Sequence, residues 1–175
     1  MFRDLKEDEI DCRVSQINEK GLSLLLYKDA RVDQIVLDET FGAFKWQRDH
    51  KELKGNIYCG ISIYDEGSKQ WITKWDCGKE SFTEAEKGEA SDSFKRAGFN
   101  WGIGRELYTS PFIYIPIKDK DGQDNFEIRE KNNKVTTYTK FKVEKIEITD
   151  KIITGLAIRN DKGKRVFVWQ KQSQK

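Results

Sequence analysis

The chain has 175 residues, enough for one domain or for one domain with an appendage. Charged residues make up 35% of it, hydrophobic residues 37% and aromatic residues 12%, a balance typical of a soluble globular protein with a thin core and not of a disordered chain. The start is charged from residue 3, unlike a signal peptide, and no apolar run approaches the ~20 residues of a membrane span. These features predict a cytoplasmic protein without membrane contact.

The first predicted elements are a short helical turn in LKEDEID, a strand in CRVSQIN, and a buried strand or packed loop over Gly21–Tyr27. A helix follows, because Asp29 can cap its start and Gly42 can end it. Helical spacing places its apolar face at Val32, Ile35, Val36 and Thr40.

Three strands then predict an antiparallel meander, since short glycine-containing turns join them. The predicted strands are Phe44–Leu53, Asn56–Glu66 and Gln70–Gly78. In the middle strand the apolar positions alternate from Ile57 to Ile63, which indicates one buried face.

A second helix is predicted after the meander. Thr83 with Glu86 forms a capping box, and Ser81 with Glu84 is the alternative. Its core-facing stripe consists of Ala90, Phe94, Ala97 and Trp101. Gly98 weakens the helix, and Gly102 and Gly104 end or kink it.

The C-terminal part is predicted as a second β-meander. Pro111 and Pro116 bracket an edge strand, and residues 118–134 contain two apolar residues, as a loop or linker does. Three alternating segments follow. We therefore expect a core over 1–117, a linker over 118–134 and a β-rich extension over 135–175. From Lys118 to Lys175 there are 15 Lys and Arg against 9 Asp and Glu, a net charge of +6.

The residues form no catalytic constellation. His50 is the sole histidine and is expected on the surface, and Cys12, Cys59 and Cys77 do not have the spacing of a zinc site. There is no Walker loop, and GIGR follows a helix where a dinucleotide loop would follow a strand. We expect no enzyme, no metal and no cofactor. One alternative is a metal-dependent nuclease that uses the acidic residues Asp76, Glu80, Glu84 and Glu86.

Binding of nucleic acid fits the residues better. Lys95 and Arg96 lie on the second helix near Trp101, and Arg105 follows. Basic and aromatic side chains together favour a groove for a single strand, because cations bind phosphates and rings stack on bases. Candidates for stacking or groove lining are Trp46, Arg48, Lys74 and Trp101. The alternative is structural: Arg96 would pair with Asp92, and Trp101 would lie in the core.

Two stretches carry a family resemblance. The segment EAEKGEASDSFKRAGFNWGIGRELY resembles the signature helix of the Rad52-like single-strand annealing proteins, and most closely their small phage and prophage forms of Sak type. The segment LLLYKDARVDQIVLDETFGAFKWQ resembles the helix and first strand that open the same fold. The resemblance implies an α+β fold with a β-β-β-α core. It also implies homo-oligomeric rings or helical assemblies, a positive groove for single-stranded DNA, and strand annealing without ATP.

The same resemblance implies a set of DNA-binding residues. Lys95 and Arg96 match the family's Lys-Arg pair on the DNA backbone, and Arg31 matches an arginine at the start of the first helix. Lys87 occupies a further basic helix position, and Arg105 is included for its charge. The C-terminal meander has no counterpart in the resemblance.

Several partners and functions stay open. Single-stranded DNA and further copies of the chain are the expected partners, and a single-strand binding protein or an exonuclease is a further candidate. An end-protecting protein without annealing activity and a protein-binding scaffold are the alternatives to an annealing protein.

Overall fold

The computed structural model describes residues 2–78, 85–131 and 134–172. The fold is α+β, as predicted, with antiparallel sheets and two α-helices in the described residues. It divides into two compact units, one made of Met1–Arg3 with Lys28–Arg105 and the other of Asp4–Tyr27 with Glu106–Lys175. The predicted boundaries at residues 117 and 134 both lie inside the second unit. Neither described helix has the length and apolar character needed to cross a membrane.

The helices are α1 (Ala30–Phe41) and α2 (Ala85–Trp101), and 3₁₀ turns cover Glu7–Glu9 and Arg105–Thr109. The first six strands are β1 (Asp11–Ile17), β2 (Gly21–Tyr27), β3 (Trp46–Leu53), β4 (Asn56–Asp65), β5 (Gln70–Cys77) and β6 (Ile113–Pro116). The remaining strands are β7 (Arg129–Lys131), β8 (Lys134–Thr136), β9 (Phe141–Thr149), β10 (Ile152–Asn160) and β11 (Arg165–Gln170).

Helix α1 begins and ends where the sequence predicts. The Asp29 carboxylate accepts the backbone N–H of Arg31, and Gly42 takes a positive φ of 76° after the last turn. The predicted apolar face is partly wrong, because Ile35 is 48% exposed. The buried residues are Val32, Asp33, Val36 and Leu37, so Asp33 and Leu37 are buried, whereas the predicted Ile35 and Thr40 are exposed.

The meander β3-β4-β5 has the predicted antiparallel order, and α2 packs on one of its faces. Cys59, Ile61 and Ile63 of β4 are buried on the side that carries Trp46, which stacks on Phe94 of α2. Strand β3 begins at Trp46 and not at the predicted Phe44, because Phe44 lies in the preceding turn and is 96% exposed.

The other face of this meander is rich in aromatic side chains. Tyr64 and Trp71 meet edge to face at 5.5 Å, and Lys51 lies 4.5 Å above the ring of Trp75. Gly60 is required beneath Trp75, because a Cβ there would lie 2.6 Å from the indole. Trp71 is 44% exposed on this face.

The second unit contains a six-stranded sheet in the order β11-β10-β9-β1-β2-β6. Strand β6 is at the edge, as its flanking prolines predict. The meander β9-β10-β11 continues this sheet through the pairing of β9 with β1, so it is part of the second unit's main sheet.

Residues 118–134, predicted as a loop or linker, contain packed structure where they are described. A bridge joins Lys118 to Asp124, and β7 pairs with β8. Phe126 is 3% exposed and meets Phe141 edge to face at 6.2 Å. The polar composition of the segment did not indicate these contacts, and the domain boundaries predicted at its two ends stay predictions.

Candidate nucleic-acid interface

The start of α1 positions Arg31. Its Nε donates to Asp29 at 2.8 Å, and the guanidinium lowers the pKa of that carboxyl through this hydrogen bond. The side chain of Arg31 is nevertheless 83% exposed. An exposed guanidinium with donors left over can bind a further anion.

Lys95 lies on α2 and is half-buried. Its charge contributes to lowering the pKa of Asp29, after the larger effect of Arg31, and it also acts on the carboxylate of Asp33. Gly98 and Phe99, one helical turn after Lys95, lie against Asp33 and Lys28, which brings this part of α2 close to the first turns of α1. Arg31 and Lys95, far apart in sequence, thus share one neighbourhood.

A buried ion pair lies beneath this neighbourhood. The ammonium of Lys28 binds Oδ1 of Asp33, and the two side chains are 1% and 0% exposed. Lys28 also lies 4.4 Å above the ring of Phe99 on α2. Burial raises the pKa of Asp33 to about 6, against the opposing effect of Lys28. The other carboxylate oxygen, Oδ2, is buried without a hydrogen bond.

Gly98 lets α2 approach this pair. A Cβ at position 98 would overlap the Asp33 carboxylate and lie 3.7 Å from the Lys28 ammonium. Since Lys95, Gly98 and Phe99 are spaced three and four residues apart, they share the side of α2 that faces α1. The buried pair therefore joins α1 to the part of α2 that carries Lys95.

Sequence reasoning missed both Lys28 and Asp33 as parts of this site. Asp33 is four residues before Leu37, and this spacing places its carboxylate on the buried face of α1. A buried charge requires a buried partner, so the sequence could have indicated an ion pair here.

Arg96 binds the sheet. Its Nε lies 3.2 Å from Oδ1 of Asp76 on β5, and the side chain is 38% exposed. The second oxygen of Asp76 accepts Nδ2 of Asn100 at 3.1 Å. Arg96 therefore ties α2 to β5 through Asp76, and the pairing of Arg96 with Asp92 stays a prediction.

Arg105 and Lys74 meet at the C-terminal end of α2. Arg105 donates to the carbonyls of Phe99 at 2.7 Å and Asn100 at 2.9 Å, and Lys74 donates to the same Asn100 carbonyl at 3.1 Å. Cations at this end of a helix satisfy its last carbonyls and its negative dipole. Both side chains are exposed, and both donate hydrogen bonds to carbonyls at the C-terminal end of α2.

The candidate aromatic residues also have packing roles. Trp101 donates its Nε1–H to the carbonyl of Ile61 at 2.9 Å, and Lys74 lies 4.4 Å above its ring. Trp46 donates to Asp38 at 2.7 Å, and Arg48 lies 4.9 Å above Phe94. The prediction that these residues line a strand of DNA stays a prediction.

Some candidates lie outside the described residues. These are the side chain of Lys87, the capping pairs Ser81 with Glu84 and Thr83 with Glu86, and the acidic residue Glu80. Within the part of the chain that is described, no group of three or more His, Cys, Asp and Glu could hold a metal ion. Cys59 and Cys77 belong to opposite faces of the meander, because they are separated in register by one residue.

The charges around the start of α1 determine what this surface can do. Lys28 is neutralised by Asp33 and out of contact with solvent, whereas Arg31 and Lys95 both act on the single carboxylate of Asp29. Of these last three groups, two are positive and one is negative. The surface can hold an anionic group such as a phosphate, with α1's N-terminus adding a favourable dipole.

Comparison with known proteins places the chain. A family model described as Rad52/22 family double-strand break repair protein matches residues 2–126. No curated protein and no solved structure matches the chain significantly. The matched range is more than half of the chain and contains α1, the meander and α2. The chain belongs to the Rad52/22 family of double-strand break repair proteins.

Proposed function

We propose that this protein binds single-stranded DNA and anneals complementary strands without ATP, in the homologous recombination or repair of a phage or bacterium. Family membership ties the chain to DNA double-strand break repair and recombination. The observation that supports the finer proposal is the packing of α2 on α1 next to Lys95, where Gly98 and Phe99 lie against Asp33 and Lys28, together with the action of both Arg31 and Lys95 on Asp29. In this proposal the protein is a binding protein and not an enzyme.

The mechanism follows from what the two cations can contact. Phosphate contacts hold a strand in position without reading its sequence, which leaves the bases free to pair with a second strand. Annealing then needs no energy source, because base pairing itself drives the reaction. For single strands, each phosphate contact adds ~0.7 to the slope with which the logarithm of affinity falls against the logarithm of salt concentration.

One subunit offers few such contacts, so the proposal includes self-association. Subunits aligned along a strand multiply weak contacts through effective concentration. The aromatic face of the meander supports this, since Trp71 and Leu53 are 44% and 57% exposed there. Exposed apolar patches of this kind are typical of interfaces between proteins. A single-strand binding protein or an exonuclease is a further proposed partner.

Arg96, Lys87 and Arg105 remain proposed DNA contacts, with different expectations. Arg96 keeps part of its guanidinium exposed beside Asp76, so it can contribute both to the fold and to binding. Arg105 is expected to act mainly on the end of α2, because two of its donors are used there.

The test is a fluorescence annealing assay with two complementary oligonucleotides and no ATP. Lys95→Gln is the informative variant, since the described residues show no hydrogen bond or ion pair for its ammonium. Lys54→Gln is the matched control, an exposed lysine in the β3–β4 turn. Lys95→Gln removes one proposed phosphate contact. We expect this variant to weaken strand binding about fivefold more at ~0.1 M salt than at 1 M, and to slow annealing. The control should change neither the binding nor the annealing rate. Equal rates in the two variants would remove Lys95 from the site.

Two other candidates are separated by simple measurements. An end-protecting protein would bind the same strands but leave annealing at the spontaneous rate. The nuclease alternative includes Asp76 among its metal ligands. Both carboxylate oxygens of Asp76 already accept hydrogen bonds, one from Arg96 and one from Asn100. Incubation of labelled DNA with Mg²⁺ or Mn²⁺ would reveal cleavage if it occurred.

A further inference from the structure

The outer face of the C-terminal meander carries a row of cations. Arg159 on β10 lies directly opposite Lys142 on β9 and directly opposite Arg165 on β11. All three side chains are exposed. Directly opposed residues of antiparallel strands point to the same face, and neighbouring strands are ~4.8 Å apart. The three cations therefore form a row across the sheet, here called the β9–β11 row.

The row is only partly neutralised. Glu144 accepts two hydrogen bonds from Arg165, at 2.6 Å and 2.8 Å, and thereby reaches from β9 to β11 across β10. Lys142 and Arg159 have no hydrogen bond or ion pair to a side chain in the described residues. Asp11 lies opposite Lys142 on β1, and the charge of Arg159 helps to lower the pKa of Glu144, after the larger effect of Arg165. Like charges directly opposite each other destabilise a sheet, so the row has a cost that a bound anion would remove.

Two β-bulges flank the row. The register between β9 and β10 skips Glu144, and the register between β10 and β11 skips Val166. Each bulge adds one residue beside Arg159 and increases the local twist. Bulges re-aim side chains and are common next to functional sites. Here they bring Glu144 within reach of Arg165 and leave Lys142 and Arg159 exposed together.

The geometry points to the phosphate backbone of a nucleic-acid strand as the ligand of the β9–β11 row, which we propose as a second binding surface. A linear row of exposed cations matches a linear polyanion, and the region from Lys118 to Lys175 has a net charge of +6. A protein partner would need apolar contacts at its centre. On these three fully described strands the exposed large apolar side chains are Ile152 and Val168, and neither lies in the row.

This surface consists of other residues than the one proposed at α1 and α2. Strands β9, β10 and β11 lie beyond residue 126, where the family match ends. The inference rests on the proposed function only for the identity of the polyanion as nucleic acid. A chain with two such surfaces could hold one strand at two points or hold two strands at once.

The experiment measures binding of a labelled oligothymidylate by fluorescence anisotropy over a range of KCl concentrations. The row variant is Lys142→Gln with Arg159→Gln, and the matched control is Lys20→Gln with Lys120→Gln, two exposed lysines of the same unit. We expect the row variant to lower the slope of log affinity against log salt by ~1.4 and to weaken binding about 25-fold at ~0.1 M salt relative to 1 M. The control should lose little of either.

Two further variants make the outcome specific. The charge-preserving swap, Lys142→Arg with Arg159→Lys, should retain the slope of the original protein. A variant of the α1–α2 surface, Arg31→Gln with Lys95→Gln, tests the proposed function independently. If only the row variant changes the salt slope, the result supports the row and counts against the α1–α2 surface. If only the variant of the α1–α2 surface changes the slope, the inference is overturned. If the unmodified protein binds no oligothymidylate, both proposals fail.

Folding is monitored in the same samples by thermal denaturation. Because the row variant removes a like-charge contact between exposed side chains, its melting temperature at low salt should be unchanged or slightly raised. A weakened slope accompanied by a clear fall in melting temperature would indicate damage to the sheet and would overturn the inference.

Discussion

Replacing Lys28 by Met removes the buried cation that Asp33 depends on, while the similar length of the methionine keeps the packing of the side-chain stem. Both partners of this pair are out of contact with solvent. Breaking a buried pair from one side costs about 3–5 kcal/mol, because the remaining charge is left buried and uncompensated. With a urea dependence of about 2 kcal/mol per molar, this corresponds to a fall of roughly 2 M in the unfolding midpoint.

The loss should depend on pH in a direction that the pKa of Asp33 determines. Burial raises this pKa to about 6 in the folded protein from an ordinary value of 3.8, so the folded state binds the proton more tightly than the unfolded state. Stability from this group is fully present below ~pH 4 and is lost as the pH rises through about 6. Because Lys28 opposes the increase, its removal should raise the pKa of Asp33 further. The deficit of Lys28→Met should therefore be larger at ~pH 7.5 than at ~pH 5.

Urea denaturation followed by tryptophan fluorescence measures this loss. Four of the five tryptophans lie in the unit that contains the ion pair, and Trp169 on β11 does not. A Trp169→Phe background makes the signal specific for that unit. The control is Lys28→Met with Asp33→Asn, which removes both charges and retains the shape of the carboxylate.

The double variant should be more stable than Lys28→Met alone at ~pH 7.5, because it buries no lone charge. If the two variants unfold at the same urea concentration, Asp33 is not the cause of the loss. A Lys28→Met deficit below about 1 kcal/mol, or one that grows as the pH falls, would refute the reasoning on the buried pair.

Two further substitutions test the packing around α2. Gly98→Ala places a methyl group against the Asp33 carboxylate and should lower the free energy of unfolding by about 1–3 kcal/mol. The control is Gly102→Ala, where no atom lies within 4 Å of the added Cβ. It should cost less, because only backbone strain acts there. A larger loss in Gly102→Ala would contradict this contact. Trp101→Phe removes the Nε1–H donor to the Ile61 carbonyl and should lower the free energy of unfolding, measured in urea, by about 1 kcal/mol. The control is Trp46→Phe, which removes a solvent-exposed hydrogen bond from the indole to Asp38. Equal losses in the two tryptophan variants would mean that the Ile61 bond has no special weight.

Local signals predicted the elements of the first unit well. Asp29 and Gly42 bound α1 as capping chemistry requires, and alternation in β4 identified the buried Cys59, Ile61 and Ile63. These features depend on neighbouring residues, which a sequence displays directly. The same holds for β6, where two prolines indicate an edge strand.

Tertiary partners were beyond the reach of such signals. A helical pattern gives no sign that Nε of Arg96 binds Asp76, twenty residues earlier on β5. A capping rule cannot reveal that Lys74, far away in sequence, shares the Asn100 carbonyl with Arg105. The polar composition of residues 118–131 also gave no sign that Asn125 and Phe126 are each only 3% exposed.

The membership of the C-terminal meander in a larger sheet was also not predictable from periodicity. Alternation identifies β9, β10 and β11 as strands, but the single register pair of Asp11 with Lys142 joins them to β1. A pairing between residues so distant in sequence depends on the whole fold and not on either segment. The cation row across β9–β11 follows from register in the same way, and no one strand displays it.

The cations of the first unit differ in how much of each remains for a ligand. Arg105 and Lys74 use donors on the end of α2, Arg96 uses Nε on Asp76, and Lys28 is buried. Charge alone therefore overstates the binding capacity of this unit. A cation whose loss leaves an unpaired buried or helix-terminal group acts on stability first, and its effect on binding follows from the damaged fold. Lys95 has no such structural bond in the described residues, and 83% of the Arg31 side chain is exposed, so these two are where a change in salt dependence separates binding from folding.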